Sequence, residues 1–473
     1  MKMRVLLSVL VLLLVMMSAM AQDDEPVEIE FVHIFGGDGD IRADVIQAIA
    51  DDFMALNPNV TVTVRSTSPD YDELFNAALL AASQGSAPEL VQVVEGLTQQ
   101  AADSGFFLPI TELASEEQLA SHNDILPVLT EYYSLEGQQW SLPWNSSNPV
   151  LYYNKSITDA LGLEISSTEP LTFDELTAIC EQVNAAIESG ALEAGACANW
   201  SASAWFIEQW LAMQGALMLN NDNGRTARAT EVVFNSPELL NIFNWWQSMA
   251  ESGYWTFGGA TNDLNSEGIS FLTTPTVFHI NSTAGLTLFQ NAFNNFGLEL
   301  GVAPLLIPNE DATNGVTIGG ASVWVTAGHS EAETQAAVDF AYFLTSVEND
   351  IRWHQGSGYF PIHAASIAAL EAGGLWVDAD GNPTTPDAEG ATEVAWFETF
   401  PSFYIAVRQL QESGSSYANA GPSAGPLNEV RNILQDALVS VVDGGFSPEE
   451  ALDAATTRAN AVLEEYNSVV TGS

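Results

Sequence analysis

Two cysteines, six histidines and a large surplus of carboxylates are the side chains from which this 473-residue chain would have to build covalent, metal or acid–base chemistry. Cys180 and Cys197 have neither the spacing of a metal site nor a paired histidine that would make one of them a nucleophile. They are either a disulfide closing a short loop or two separate buried thiols, and an oxidising compartment favours the bridge. The histidines, His33, His122, His279, His329, His354 and His363, are scattered along the chain. Phosphate-loop, His-Glu-x-x-His and Cys-x-x-Cys signatures are absent. Gly36, Gly37 and Gly39 follow an expected strand and precede an expected helix, but Asp38 and Asp40 among them would repel a pyrophosphate. A glycosidase pair is defined by the spatial separation of two carboxylates, so 61 acidic residues leave it open while no motif supports it. These residues point to binding without a cofactor or a metal, and not to catalysis.

The elements that would position a binding site are legible at the N-terminal end. Residues 27–31 alternate apolar and polar as a half-buried strand does. Ile41, Val45, Ile46, Ile49, Phe53 and Leu56 recur at helical spacing before Asn57-Pro58 ends the run. A strand over 60–64, an amphipathic helix over 71–83 and an apolar run over 90–94 follow. Strand, helix, strand, helix, strand is the order of an α/β lobe with a parallel sheet. Ligands sit beyond the carboxyl ends of such strands, and the loops there hold Tyr71 and Glu95. Helical periodicity returns over residues 173–187, 205–213, 237–249, 332–345 and 427–442. A last helix is announced by Ser447, Pro448 and Glu450 as cap, first-turn proline and capping-box acid. Strand-like runs cover 276–280 and 321–325, and the polar loop 378–390 reads as an exposed insertion.

Composition narrows the partners. The 61 acidic residues against 11 basic ones repel phosphate backbones, and no basic stripe reverses this locally, so nucleic acid is excluded as a partner. Lys2 and Arg4, an apolar run over 5–17 and Ala19-Met20-Ala21 have the form of a cleavable signal peptide over 1–21. No cysteine follows that run to carry a lipid anchor, and no later stretch reaches the roughly 18–20 apolar residues of a membrane span. The expectation is a monomer exported to a periplasmic or extracellular space, acidic enough to remain soluble in strong salt.

Several motifs carry a resemblance. Phe53-x-x-x-Asn57-Pro58 at a helix end, a strand over 60–64 and Gly85-x-x-Pro88-Glu89 before a strand resemble the opening of extracellular solute-binding proteins of ABC importers, the maltose-binding type. The run from Leu142 to Lys155, with Pro143-Trp144-Asn145-Ser146-Ser147-Asn148-Pro149, is similar to glycerol-3-phosphate-binding members. So are Ile318-Gly319-Gly320-Ala321-Ser322-Val323-Trp324-Val325 and Trp353-His354-Gln355-x-x-Gly358-Tyr359-x-Pro361-Ile362. The resemblance spans the chain after residue 21. It implies a periplasmic-binding-protein-like α/β fold of two lobes joined by a multi-crossing hinge of type II topology. The expected division is 22–135 with 283–330 as lobe 1, and 136–282 with 331–473 as lobe 2. It further implies capture of glycerol-3-phosphate, or of glycerophosphodiesters, for delivery to ABC permease subunits in the membrane. A neutral oligosaccharide is the alternative cargo, and a secreted glycosidase a more distant one.

The resemblance also implies a ligand set: Tyr71, Glu95, Ser147, Trp200, Ser282, Gly320, Tyr359 and Arg431. Their chemistry suits a phosphate ester. Arg431 offers a fork of five donors, Ser147 and Ser282 add hydroxyls, and Tyr71 and Tyr359 add phenols. The Gly320 amide permits close approach, Glu95 would accept from glycerol hydroxyls, and Trp200 would cover the carbon edge. Arg431 has a second reading, because it borders the apolar stripe of Leu427 and Leu434, where an arginine commonly pairs with a carboxylate. Tyr71 and Trp200 have one as well, as core or rim aromatics.

Overall fold

The structure, a computed structural model, describes residues 26–37, 40–259, 261–274, 276–378, 384, 388 and 390–472. The expected signal peptide, Asp38, Gly39 and most of the loop 378–390 lie outside the described residues.

Three strands, β1 (Val27–His33), β2 (Val60–Ser66) and β3 (Leu90–Val94), run parallel, joined by helices α1 (Ile41–Leu56) and α2 (Tyr71–Ser83). Asp40 starts α1 by accepting the Arg42 amide, and Asp70 starts α2 by accepting the Glu73 amide. A short β4 (Phe107–Leu108) lies at the far edge. Strand β5 (Leu142–Ser147) is followed after one residue by β6 (Pro149–Asn154).

The second lobe is built from α3 (Phe173–Glu188), β7 (Ala196–Asn199), α4 (Ala204–Met213), α5 (Pro237–Glu251), β8 (Trp255–Thr256), β9 (Thr276–Ser282) and β10 (Leu300–Ala303). Strand β11 (Gly319–Thr326) then returns to the first sheet, antiparallel to β3, β4 and β5. The first sheet has the order β2-β1-β3-β11-β4 with β5 also on β11, and the second β8-β7-β9-β6-β10. Helices α6 (Glu331–Leu344) and α7 (Val347–Ser357) pack on the first sheet's β1 and α1. Beyond them, α8 (Pro401–Gln411) packs on β6 and β10, and α9 (Leu427–Val442) packs on α4, α5 and α10 (Pro448–Thr471). Ser447 and Glu450 form the expected capping box of α10.

The fold is the expected two-lobed α/β architecture, but the chain changes lobes at other places than the sequence division has them. Residues 142–154 form one extended, buried run that serves both sheets, with the change at Asn148 and not near residue 135. Strand β10 belongs to the second sheet, although the expected division puts 283–330 in lobe 1. Helices α6 and α7 cover the first sheet, although that division puts 331–473 in lobe 2. The physical reason is that a run buried on both faces continues through Pro149, which donates no backbone hydrogen bond and ends the β5 ladder without ending the strand direction. No helix among the described residues is long and apolar enough to cross a membrane.

The second lobe's core is aromatic. Phe173 stacks on Trp245 with centroids 3.7 Å apart, Trp245 stacks on Trp200 at 5.9 Å, and Trp210, Trp246 and Trp255 close around them edge-on or tilted. Beside this cluster Cys180 of α3 and Cys197 of β7 are joined by a disulfide, both fully buried. The bridge closes a loop with a sequence separation of 17 residues. In the chain-entropy account a loop of this size contributes about 3 kcal/mol. Replacing both cysteines by alanine is expected to lower the unfolding free energy by about that amount, as measured by urea denaturation under non-reducing conditions.

Candidate functional site

The loops after β2 and β3 meet α4, α9 and the turn after α7 along the seam between the lobes. Tyr71 is the first residue of α2, placed there by the Asp70 cap. Its hydroxyl accepts from Asn145 Nδ2 at 2.9 Å and hydrogen-bonds with Tyr359, which also contacts Asn145. Asn145 is held in turn by Gln92, whose Nε2 donates to Asn145 Oδ1 at 2.9 Å. Burial raises the pKa of both phenols, so they remain neutral donors. The Tyr359 ring stacks on Trp353 with centroids 5.6 Å apart. Arg42, paired in bidentate fashion with Asp40, lies near both tyrosines.

The second cluster is ionic. Arg431 of α9 donates Nε to Glu208 Oε1 and Nη2 to Glu208 Oε2, both at 2.7 Å, and Nη1 to Glu95 Oε1 at 2.9 Å. Glu208 and Glu95 are buried, and the Arg431 side chain is only 11% exposed. The guanidinium is thus compensated twice over. Arg431 pairs with carboxylates, as its second reading has it. Burial opposes the charge, but Glu208 and then Glu95 hold the guanidinium's pKa well above its ordinary value. Burial raises Glu95; Arg431 draws it back in part and Glu208 pushes it further up. Glu95 Oε2 is buried without a hydrogen-bond partner among the described residues. Gly96 explains why the lobes approach so closely here, because any side chain at that position would fall on Asn428 and Arg431.

Of the other expected residues, Ser147 ends β5 opposite Gly319, and Gly320 is opposite Ser146. Gly320 has a φ of 108°, and a side chain there would strike the Asn145 carbonyl, so the glycine serves the strand pairing. Ser282 ends β9, where its hydroxyl caps the next turn by accepting the Ala284 amide. The following Thr283 carbonyl lies against Gly358, beside Tyr359. Trp200 is not in the site: it is fully buried in the tryptophan core. Trp205 lies at the seam instead. The Ser203 cap sets it on the first turn of α4, where its indole lies on Gly319 and donates to the Ile318 carbonyl at 3.3 Å. Trp205 and Glu208, three residues apart, share one face of α4, a spacing visible in the sequence. Tyr71, Glu95, Ser147, Gly320, Tyr359 and Arg431 therefore converge with Trp205, Glu208, Asn145 and Arg42, while Ser282 borders them.

Two α/β lobes with a polar and aromatic seam between them define a solute-binding protein. The profile of the bacterial extracellular solute-binding protein family matches residues 48–403, and the chain belongs to that family. It is 27% identical to the sn-glycerol-3-phosphate-binding periplasmic protein UgpB of Pectobacterium atrosepticum over 95% of this chain and 94% of that one. It is 26% identical to the protein of the same name from Escherichia coli, over 89% and 90%. Among solved structures, UgpB of Mycobacterium tuberculosis in complex with glycerophosphocholine superposes with a TM-score of 0.72 at 19% identity, covering 93% of this chain and 99% of that one. The GacH receptor of Streptomyces glaucescens, solved unliganded and with acarbose, gives 0.72 at 15% identity with the same coverage. The chain is the solute-binding component of an ABC importer, and its relatives are transport proteins and not enzymes.

Two substitutions separate core from site. Trp200→Ala is expected to cost about 3–5 kcal/mol of unfolding free energy in a denaturant titration, as large-to-small changes of buried aromatics do. Arg431→Ala strands two buried carboxylates and is expected to cost about 3–5 kcal/mol at pH 7. Without the guanidinium that draws Glu95 down, its folded pKa rises further above the unfolded value. Such a group favours folding below its unfolded pKa and loses that contribution as pH rises through the folded one. The deficit of Arg431→Ala should therefore shrink between pH 7 and pH 4, read from parallel titrations.

Proposed function

We propose that the protein captures a neutral, hydroxyl-rich ligand, a polyol or short oligosaccharide, between its lobes for delivery to the membrane permease. The observation that carries this reading is the charge count at Arg431: one guanidinium already holds two buried carboxylates. A second cation, Arg42, is likewise paired, with Asp40. A phosphomonoester brings about −1.5 to −2 charges at neutral pH. Like unit charges 5 Å apart repel by about 3 kcal/mol at an effective dielectric near 20. A hydroxyl, by contrast, can donate to the unpartnered Glu95 Oε2, accept from Tyr71 or Tyr359, and lie against the Trp205 indole. The ligand would favour the closed arrangement because only there do donors and acceptors from both lobes surround it. Export through a signal peptide over residues 1–21 belongs to the same reading.

A second reading, glycerol-3-phosphate or a glycerophosphodiester, is favoured by the likeness to sn-glycerol-3-phosphate-binding periplasmic proteins. In it the phosphate displaces Glu95 from Arg431 Nη1. A thermal-shift and competition panel decides between them, with glycerol, maltose and xylosides against glycerol-3-phosphate and glycerophosphocholine at several salt concentrations. A neutral ligand is expected to add about 2.7 kcal/mol at 100-fold excess over its dissociation constant, with little salt dependence. Tight, salt-sensitive binding of glycerol-3-phosphate, uncontested by sugars, would reverse the order of the two. Release of product from a saccharide would assign a glycosidase instead.

A further inference from the structure

We propose that Glu208 sets the charge selectivity of the cleft, holding Arg431 as a neutral pair so that anionic cargo is refused and Glu95 alone is left to face the ligand. The inference rests on the reading of this seam as the ligand cleft and deepens it by assigning the discrimination to one residue.

The two carboxylates around Arg431 are not equivalent. Glu208 meets the guanidinium fork to fork, with each of its oxygens 2.7 Å from a different nitrogen, so its principal hydrogen-bonding directions are already occupied. It lies on α4, which packs directly on α9, so the pair forms within one lobe and persists when the lobes separate. Glu95 comes from the other lobe, directly after β3, and gives Arg431 only one oxygen. Its second oxygen is buried and unpartnered. An acceptor left in that condition is costly unless something donates to it. The cluster thus divides the work: Glu208 positions and neutralises the arginine, and Glu95 offers the free acceptor. Glu208 needs no contact with cargo to act, because a negative charge behind the guanidinium cancels what an incoming anion would otherwise meet.

Glu208→Gln in the full chain removes the charge while keeping the shape, and Glu208→Ala removes it without placing an amide against the guanidinium. Titration calorimetry with glycerol-3-phosphate, inorganic phosphate and maltose, on each variant and on the wild type, reads the ratio of anion to neutral affinity. That ratio is expected to rise about ten-fold or more in both variants, since juxtaposed like charges cost several kcal/mol. A merely structural role would lower every affinity together and leave the ratio where it was. An unchanged or reduced ratio in a variant with a cooperative melt overturns the inference. Failure of the neutral-cargo reading shows elsewhere, in wild-type protein that already prefers glycerol-3-phosphate to maltose.

Discussion

The three-way contact of Arg431 with Glu208 and Glu95 is the constraint around which the seam between the lobes is organised. Buried charges are tolerated only when paired and hydrogen-bonded, because the desolvation of each ion costs several kcal/mol. Here the fork of Glu208 meets that demand within one lobe, and the remaining donor reaches the other lobe at Glu95. Gly96 follows from this contact, since only a residue without a side chain lets Arg431 and Asn428 come so near. So does Trp205, which the same short helix carries to Gly319. Around them Asn428 Nδ2 donates to Asp72 Oδ1 at 2.6 Å, extending the seam by a second polar contact.

The scarcity of basic residues makes their placement informative. After Lys2 and Arg4, nine remain, and three of them, Arg225, Arg228 and Arg431, bridge the lobes. Arg228 forks onto Asp103 at 2.8 Å through two nitrogens, and Tyr466 donates to the same carboxylate at 3.0 Å. Arg225, buried over the Tyr132 ring, donates to the carbonyls of Tyr132 and Gly421, both at 2.9 Å. Burial with carbonyl partners in place of a facing carboxylate lowers its pKa to about 10. A chain this acidic would otherwise hold its lobes apart by mutual repulsion. Cations set at the contact turn that repulsion into local attraction while leaving the outer surfaces negative.

Much of the fold was legible in the residues, and the reasons for the misses are physical. Period-two and helical spacing located β1, β2, β3, α1 and α2 closely, because each buries one face against the same core. The boundary between lobes was not legible, because residues 142–154 are buried along both strands and the polar run Asn145-Ser146-Ser147-Asn148 gives no sign that the chain changes sheets there. Trp200 and Trp205 are five residues apart in one aromatic stretch, and only the fold shows that the first joins Trp245 and Trp246 while the second turns to the seam. Glu208 carried no signal as one acid among 61, except its helical spacing from Trp205. The disulfide stood as one of two readings of Cys180 and Cys197, and proximity decides it.

The asymmetry of the ionic cluster has a consequence for opening. If the lobes part, Arg431 loses one of its three charge-assisted bonds and keeps the bidentate pair with Glu208. No bare guanidinium is then left for water or a stray anion to occupy. Glu95, raised in pKa by burial, becomes a hydrated carboxylate and regains the solvation that closure had removed. That gain favours the open form, whereas the renewed bond to Arg431 favours the closed one, so the opposing terms keep the balance within reach of a ligand's differential affinity. On the neutral-cargo reading, a hydroxyl donated to Glu95 Oε2 adds to the closed side alone, because that oxygen becomes a desolvated acceptor only when the seam forms.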